Sequence, residues 1–271
     1  MNDVTKPLAI VSGATGGIGT VVTQYLWQAG YSLLCLGQTL TKIWTLDEWL
    51  RTNPSPESDA QWLCRALDLN NKDTSTILLE YLACFSVAPC LLVVCHGGSP
   101  VAKNAQDNMI INDIRSVFAT DVLGAYRLCE AAWHAMDEHG GSIVLISSLH
   151  ARTTYPHRLP YSTAKSALSG LTRSLALDWG KDNIRVNAIL PWQCTGTRTD
   201  MIAAKEGEDT IERYRQKSPL RRLVNPLDVA KTVLFLAQNE SITGSEIVID
   251  CGISSSMWHR SFLEGTSGEL D

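Results

Sequence analysis

Apolar residues along the 271-residue chain gather into short, often β-branched runs, separated by longer stretches with helical periodicity. The runs fall at residues 8–11, 32–36, 64–67, 91–95, 143–146, 184–190 and 246–249. Near-continuous apolarity over so few residues fits strands covered on both faces, as in a parallel sheet. Residues 20–29, 115–136, 162–179 and 227–236 carry the 3.6-residue period instead. Strands alternating with helices, joined by right-handed crossovers, predict an α/β fold with a seven-stranded parallel sheet flanked by helices. The expected organisation is one Rossmann-like, doubly wound domain over 1–271, with its core at about 8–252 and a mobile tail within 253–271. The stretch 53–58, with two prolines and two serines, reads as a surface loop.

Composition narrows the function classes. With 45% hydrophobic and 19% charged residues the chain can bury a sizeable core. A net charge of -5 supplies no basic patch for nucleic acid. The eight cysteines include no C-x-x-C pair and sit largely in apolar runs, so they read as reduced thiols. The six histidines show no metal-ligand spacing, and no metal is expected. The N-terminus lacks the pattern of a secretion signal, and no apolar run is long enough to span a bilayer. A cytoplasmic protein without membrane partners is the expectation.

Immediately after the first run comes Ser12-Gly-Ala-Thr-Gly-Gly-Ile-Gly19. Glycines between a strand and a helix let the backbone turn tightly and approach a pyrophosphate, while the helix N-terminus offers unpaired N–H groups to it. Taken alone, such a loop can also be only a tight turn. A second constellation follows the fifth run: Ser148, then Tyr161 and Lys165, four residues apart and therefore on one helical face. A free phenol titrates near pH 10, and an adjacent ammonium stabilises its phenolate, so the pair suits proton transfer near neutrality. Ser148, at a strand's C-terminal end, is placed to hydrogen-bond the reacting oxygen.

With both motifs in order, the sequence resembles the classical short-chain dehydrogenase/reductase family over about residues 8–252. SGATGGIG resembles the family's T-G-x-x-x-G-I-G, and ISS with YSTAK resembles its Ser and Y-x-x-x-K. IRVNAILP and ITGSEIVIDCG resemble its proline segment and its closing glycine segment. The resemblance implies an NAD(P)-dependent oxidoreductase acting on CH–OH groups. It makes Tyr161 the proton donor or acceptor, Lys165 the holder of the nicotinamide ribose and Ser148 the group orienting substrate. Cofactor contacts are implied at Gly13, Thr15, Gly17, Ile18, Gly19, Gln38, Asp68, Leu69, His96, Gly97, Tyr161, Lys165 and Pro191. It further implies homodimers or homotetramers, for which Val117, Val122, Ala125, Leu168, Leu171 and Leu175 are candidates, as they also are for the monomer core.

Four positions depart from the family pattern. Cys95-His-Gly-Gly98 stands for N-N-A-G, Asp121 for the catalytic Asn, Pro191-Trp192 for P-G, and Cys251-Gly252 for G-G. The second strand ends without the acid that binds ribose hydroxyls in NAD-preferring members, and Lys42 is the nearest cation, which inclines the choice toward NADP over NAD. The segment before Tyr161 is rich in polar groups, among them His150, Arg152, His157 and Arg158, with Trp192, Gln193 and Arg198 beyond the sixth strand. His150, Arg152, His157 and Trp192 are the substrate candidates. The expected substrate is small and polar, neutral or anionic, such as a sugar derivative or hydroxy acid. A 3-oxoacyl reductase-like enzyme and a non-catalytic nucleotide-binding regulator or scaffold are the alternatives.

Overall fold

The computed structural model describes residues 6–97, 109–136 and 140–255. Seven strands form one parallel sheet: β1 (Leu8–Ser12), β2 (Ser32–Gly37), β3 (Trp62–Ala66), β4 (Pro89–Val94), β5 (Gly141–Ile146), β6 (Ile184–Pro191) and β7 (Glu246–Ile249). Their order is β3-β2-β1-β4-β5-β6-β7, so the winding reverses between β1 and β4. A crevice opens at such a reversal, outside the C-terminal strand ends.

Alternation along the strands builds two cores. Leu8 and Ile10 of β1 face one side of the sheet, with Leu92, Val94, Leu128, Leu168 and Leu175. Ala9 and Val11 face the other, with Val22, Leu26, Leu50, Val229 and Val233. Burial on both faces explains why the strands read as apolar runs without polar alternation.

The helices are α1 (Gly17–Gln28), α2 (Leu40–Thr52), α3 (Thr74–Leu82), α4 (Met109–Val117), α5 (Gly124–Ala135), α6 (Leu159–Trp179), α7 (Thr197–Glu206), α8 (Glu208–Lys217) and α9 (Pro226–Gln238). The periodicity of the sequence does not single out α2, α3, α7 or α8. In α2 only Ile43, Leu46 and Leu50 are buried, a narrow stripe in a polar helix.

The continuous helix expected over 115–136 is interrupted by a π-helical segment, Phe118–Leu123. There the Gly124 N–H reaches back five residues to the Ala119 carbonyl. Such bulges recur at functional sites. α6 starts earlier than the 162 expected, at Leu159 with Pro160 in its first turn. The loop at 53–58 is a surface connection, tied down by the Trp27 indole N–H donating to the Asn53 carbonyl.

Among the described residues no helix is long and apolar enough to cross a membrane, and no group of three candidate metal ligands occurs. The expected tail lies, after Ser255, outside the described residues, as does Gly98. Of the proposed interface positions, Val117, Ala125, Leu168 and Leu175 are buried within the monomer. On the same helical region Leu123, Tyr126 and Leu177 are among the exposed apolar side chains.

Candidate active site

The strand ends open onto two cavities, of about 470 and 350 Å³, that share Gly16, Cys95, His96 and Gly97 and form one continuous cleft. Each cavity lies to one side of the β1–β4 reversal.

The floor of the cleft is backbone. Gly13 has φ +66°, and a Cβ there would lie 2.6 Å from the His96 nitrogen. Gly19 packs against the Gly13 carbonyl so closely that any side chain would collide with it. Gly16 precedes α1, whose first turn carries no acid to repel an anion. Glycine therefore stands at these positions because only backbone fits, which is the cradle a pyrophosphate requires.

Thr15, Gln38, Asp68 and Leu69 line the larger cavity with Gly13, His96, Gly97 and Asp121. Thr39, Lys42 and Asn70, which motif matching does not mark as contacts, line it too. Gly17, Ile18, Gly19, Ser148, His150, Tyr161, Lys165, Pro191 and Trp192 line the smaller one.

A buried polar chain joins the two cavities. Ser12, at the end of β1, lies 2.8 Å from His96 Nδ1, and His96 Nε2 lies 3.1 Å from the Thr120 carbonyl in the π-helical segment. A carbonyl only accepts, so Nε2 carries the proton and the Ser12 hydroxyl donates to Nδ1. Desolvation, followed by the Lys165 charge, pushes the His96 pKa down to about 3, which keeps the imidazole neutral.

The residue after Thr120 is Asp121, whose Oδ2 lies 3.7 Å from Lys165 Nζ, with both side chains at most 4% exposed. Lys165 also donates to the Ile146 carbonyl at the end of β5, at 3.3 Å. Gly97, at φ +153°, leaves the room: a Cβ there would sit 2.7 Å from Lys165 Nζ and 3.0 Å from Asp121 Oδ2. The Lys165 ammonium lies 5.7 Å from the centre of the Tyr161 ring. Ser148 Oγ accepts the His150 N–H at 3.2 Å, so its own hydrogen can be donated into the cavity.

The substrate candidates divide. His150 and Trp192 line the cavity, His150 edge-to-face with Tyr161 at 5.6 Å and Trp192 edge-to-face with Tyr214 of α8 at 5.8 Å. Arg152 and His157 do not line it. Arg152 turns away to Glu246 of β7, donating through Nε at 2.9 Å and through a terminal nitrogen at 2.7 Å. His157 sits at an exposed turn with φ +65°. Gln193 lines the cavity, whereas the Arg198 side chain lies outside the described residues. The sequence reading also omits Met201 and Ile202, which α7 brings to the cavity wall.

A glycine-floored cleft at the sheet reversal, with a buried lysine beside a phenol, defines a dinucleotide-dependent oxidoreductase site. Residues 13–254 match the family model described as enoyl-(acyl carrier protein) reductase. The chain belongs to the classical short-chain dehydrogenase/reductase family and is an NAD(P)-dependent enzyme of that family.

Among its relatives, a chloroplastic tropinone reductase homologue of Arabidopsis thaliana is 28% identical over 250 residues, covering 91% of this chain and 75% of the relative. Human (3R)-3-hydroxyacyl-CoA dehydrogenase is 28% identical, with 93% and 97% of the two chains covered. The crystal structure of acetoin dehydrogenase from Enterobacter cloacae superposes with a TM-score of 0.81 at 25% identity, covering 95% of this chain and 99% of that one.

Proposed function

We propose that this enzyme interconverts a carbonyl and a secondary alcohol on a small polar substrate such as a sugar derivative or hydroxy acid, using NADP in preference to NAD. The observation that carries the reading is the buried Lys165 beside Tyr161 in a cavity that also holds Ser148. When bound, the nicotinamide supplies the hydride chemistry. Gly13, Thr15, Gly17, Ile18 and Gly19 would hold the pyrophosphate, Gln38, Asp68 and Leu69 the adenosine end, and His96, Gly97 and Pro191 the path to the nicotinamide.

Tyr161 gives a proton to the carbonyl oxygen during reduction and takes it from the hydroxyl during oxidation. Lys165 keeps positive charge next to the phenol and holds the ribose, and Asp121 balances that charge across 3.7 Å. Ser148 donates to the same substrate oxygen and fixes its position. The NADP preference rests on a β2 end lined by Gln38, Thr39 and Lys42, with no carboxylate to repel a 2′-phosphate. Exposed Leu123, Tyr126 and Leu177 support association into a homodimer or homotetramer. A cytoplasmic location goes with this reading.

Relatives named for acyl thioesters, such as acetoacetyl-CoA reductase of Acinetobacter at 26% identity, mark the second reading, a 3-oxoacyl reductase. Apolar Met201 and Ile202 on the cavity wall favour it. Polar Gln193 and Thr195, with the bulk of Trp192, favour the small substrate. A panel of small polar ketones and acetoacetyl-CoA, assayed with NADPH and NADH, separates the two. Turnover of the small ketones with NADPH is expected, and a large preference for the thioester would overturn the reading.

A further inference from the structure

The wall of the smaller cavity departs from the family pattern at one large side chain: Trp192 follows Pro191 where the pattern has glycine. An indole therefore stands in place of a hydrogen atom, in the same cavity as Ser148, Tyr161 and Lys165. The cavity measures about 350 Å³, near the lower end of the range for small-molecule sites, and a bound nicotinamide shares it. Every group that narrows it bears on substrate size.

The indole is held at both its backbone and its ring. The Trp192 N–H donates to the Ile249 carbonyl at the end of β7, at 2.9 Å, and the Trp192 carbonyl accepts from the Cys194 thiol at 3.4 Å. Just beyond, the chain is strapped to the segment before α9. The Val224 N–H donates to the Gln193 carbonyl at 3.0 Å, and the Thr195 N–H donates to the Val224 carbonyl at 2.9 Å. Tyr214 of α8 packs edge-to-face on the ring, with the two planes at 80°. Trp192 also packs against the core that contains Val224 and Val229. A substrate that needs the volume of the indole must displace a packed side chain on a pinned backbone, and such sites penalise each added methylene.

We propose that Trp192 is a specificity-determining residue: braced by Tyr214, it closes the cavity to long substituents, so that the enzyme accepts short-chain hydroxyketones and rejects their long-chain homologues. The inference rests on the carbonyl/alcohol reading above and narrows its substrate class.

The test is a series of 1-hydroxyalkan-2-ones, which lengthens the chain while the polar end stays constant. Rates with NADPH are compared for the wild type, Trp192→Ala, Trp192→Phe and Tyr214→Leu. For the wild type, kcat/KM should be about 10- to 200-fold lower for 1-hydroxyoctan-2-one than for 1-hydroxybutan-2-one. Trp192→Ala should remove most of that ratio, Trp192→Phe part of it, and Tyr214→Leu a smaller part. The ratio is taken within each protein, so a variant that folds less well still reports it. A wild type that shows no fall with length overturns the proposal, as does a Trp192→Ala ratio equal to that of the wild type. An equal loss at every length in Trp192→Ala also overturns it, because the indole then serves the cofactor or the chemical step. If no ketone is reduced by any of the proteins, the carbonyl reading fails, and calorimetric titration of butane-1,2-diol and octane-1,2-diol into the protein–NADPH complexes decides the role of Trp192. A gain for the longer diol relative to the shorter one in Trp192→Ala supports the proposal, while an unchanged relative affinity, or no binding of either diol, overturns it.

Discussion

Two ion pairs flank the start of α6, and they are opposite in kind. Arg152 meets Glu246 at 2.7 Å with half of its own side chain in solvent. Lys165 stands 3.7 Å from Asp121 with both side chains buried. Burial works to raise the Glu246 carboxyl, but hydrogen bonds and the charges of Arg152 and Arg173 outweigh it and hold that group below the usual carboxylate range. The shorter pair is the weaker one, because water screens it and the arginine gives up rotamer freedom to form it. The longer pair lies where charges are screened little, and removing one partner leaves the other stranded. Burial therefore ranks the two pairs in the reverse order of their distances. Arg152 ties β7 to the segment after β5, and Asp121 is the carboxylate that faces the buried Lys165 ammonium.

Substitutions sharpen that contrast. The largest effect is expected at Tyr161, the group the buried pair serves. Tyr161→Phe should lower kcat by about 10³-fold, the scale of a lost general acid, with NADPH binding and the urea midpoint unchanged. Next comes Asp121→Leu, which strands the Lys165 ammonium and should reduce unfolding free energy by about 3 kcal/mol in urea titrations, with Asp121→Asn losing less. A loss from Asp121→Leu no larger than that from Arg152→Ala would break the contrast.

His96 should give a smaller effect, confined to acid. Its imidazole is neutral in the fold down to about pH 3, whereas in the unfolded chain it protonates near 6.5. The unfolded state therefore binds the extra proton between those values, and stability falls as the pH is lowered, by at most about 1.4 kcal/mol per unit. His96→Gln should flatten that acid limb when unfolding is followed between pH 6.5 and 4. The smallest effect belongs to Arg152→Ala, expected to change unfolding free energy by about 1 kcal/mol or less and kcat/KM not at all.

The parts of this site legible in the sequence are those fixed by short spacings. Tyr161 and Lys165 fall on one face because a helix repeats every 3.6 residues, and the loop glycines stand between a readable strand and a readable helix. The five inner strands were legible because each is buried on both faces, while the edge strands β3 and β7 are only partly buried. The π-helical segment was not, since inserting one residue into a helix changes no composition, yet it sets the Thr120 carbonyl against His96 and Asp121 against Lys165. Nor could spacing show that Arg152 turns away from the cavity, because it lies in the loop before Tyr161, where no period fixes side-chain direction, and Glu246, which claims it, is 94 residues away. His96 stood out as a departure from the family pattern, but its partners Ser12 and Thr120 come from segments 84 and 24 residues distant.

The central claim is that the glycine-floored cleft is a working dinucleotide site whose β2 end favours the 2′-phosphate. Fluorescence titration of the purified protein with NADPH and NADH, side by side, tests it most directly. The account predicts saturable binding of both with NADPH the tighter, and binding of neither would contradict it.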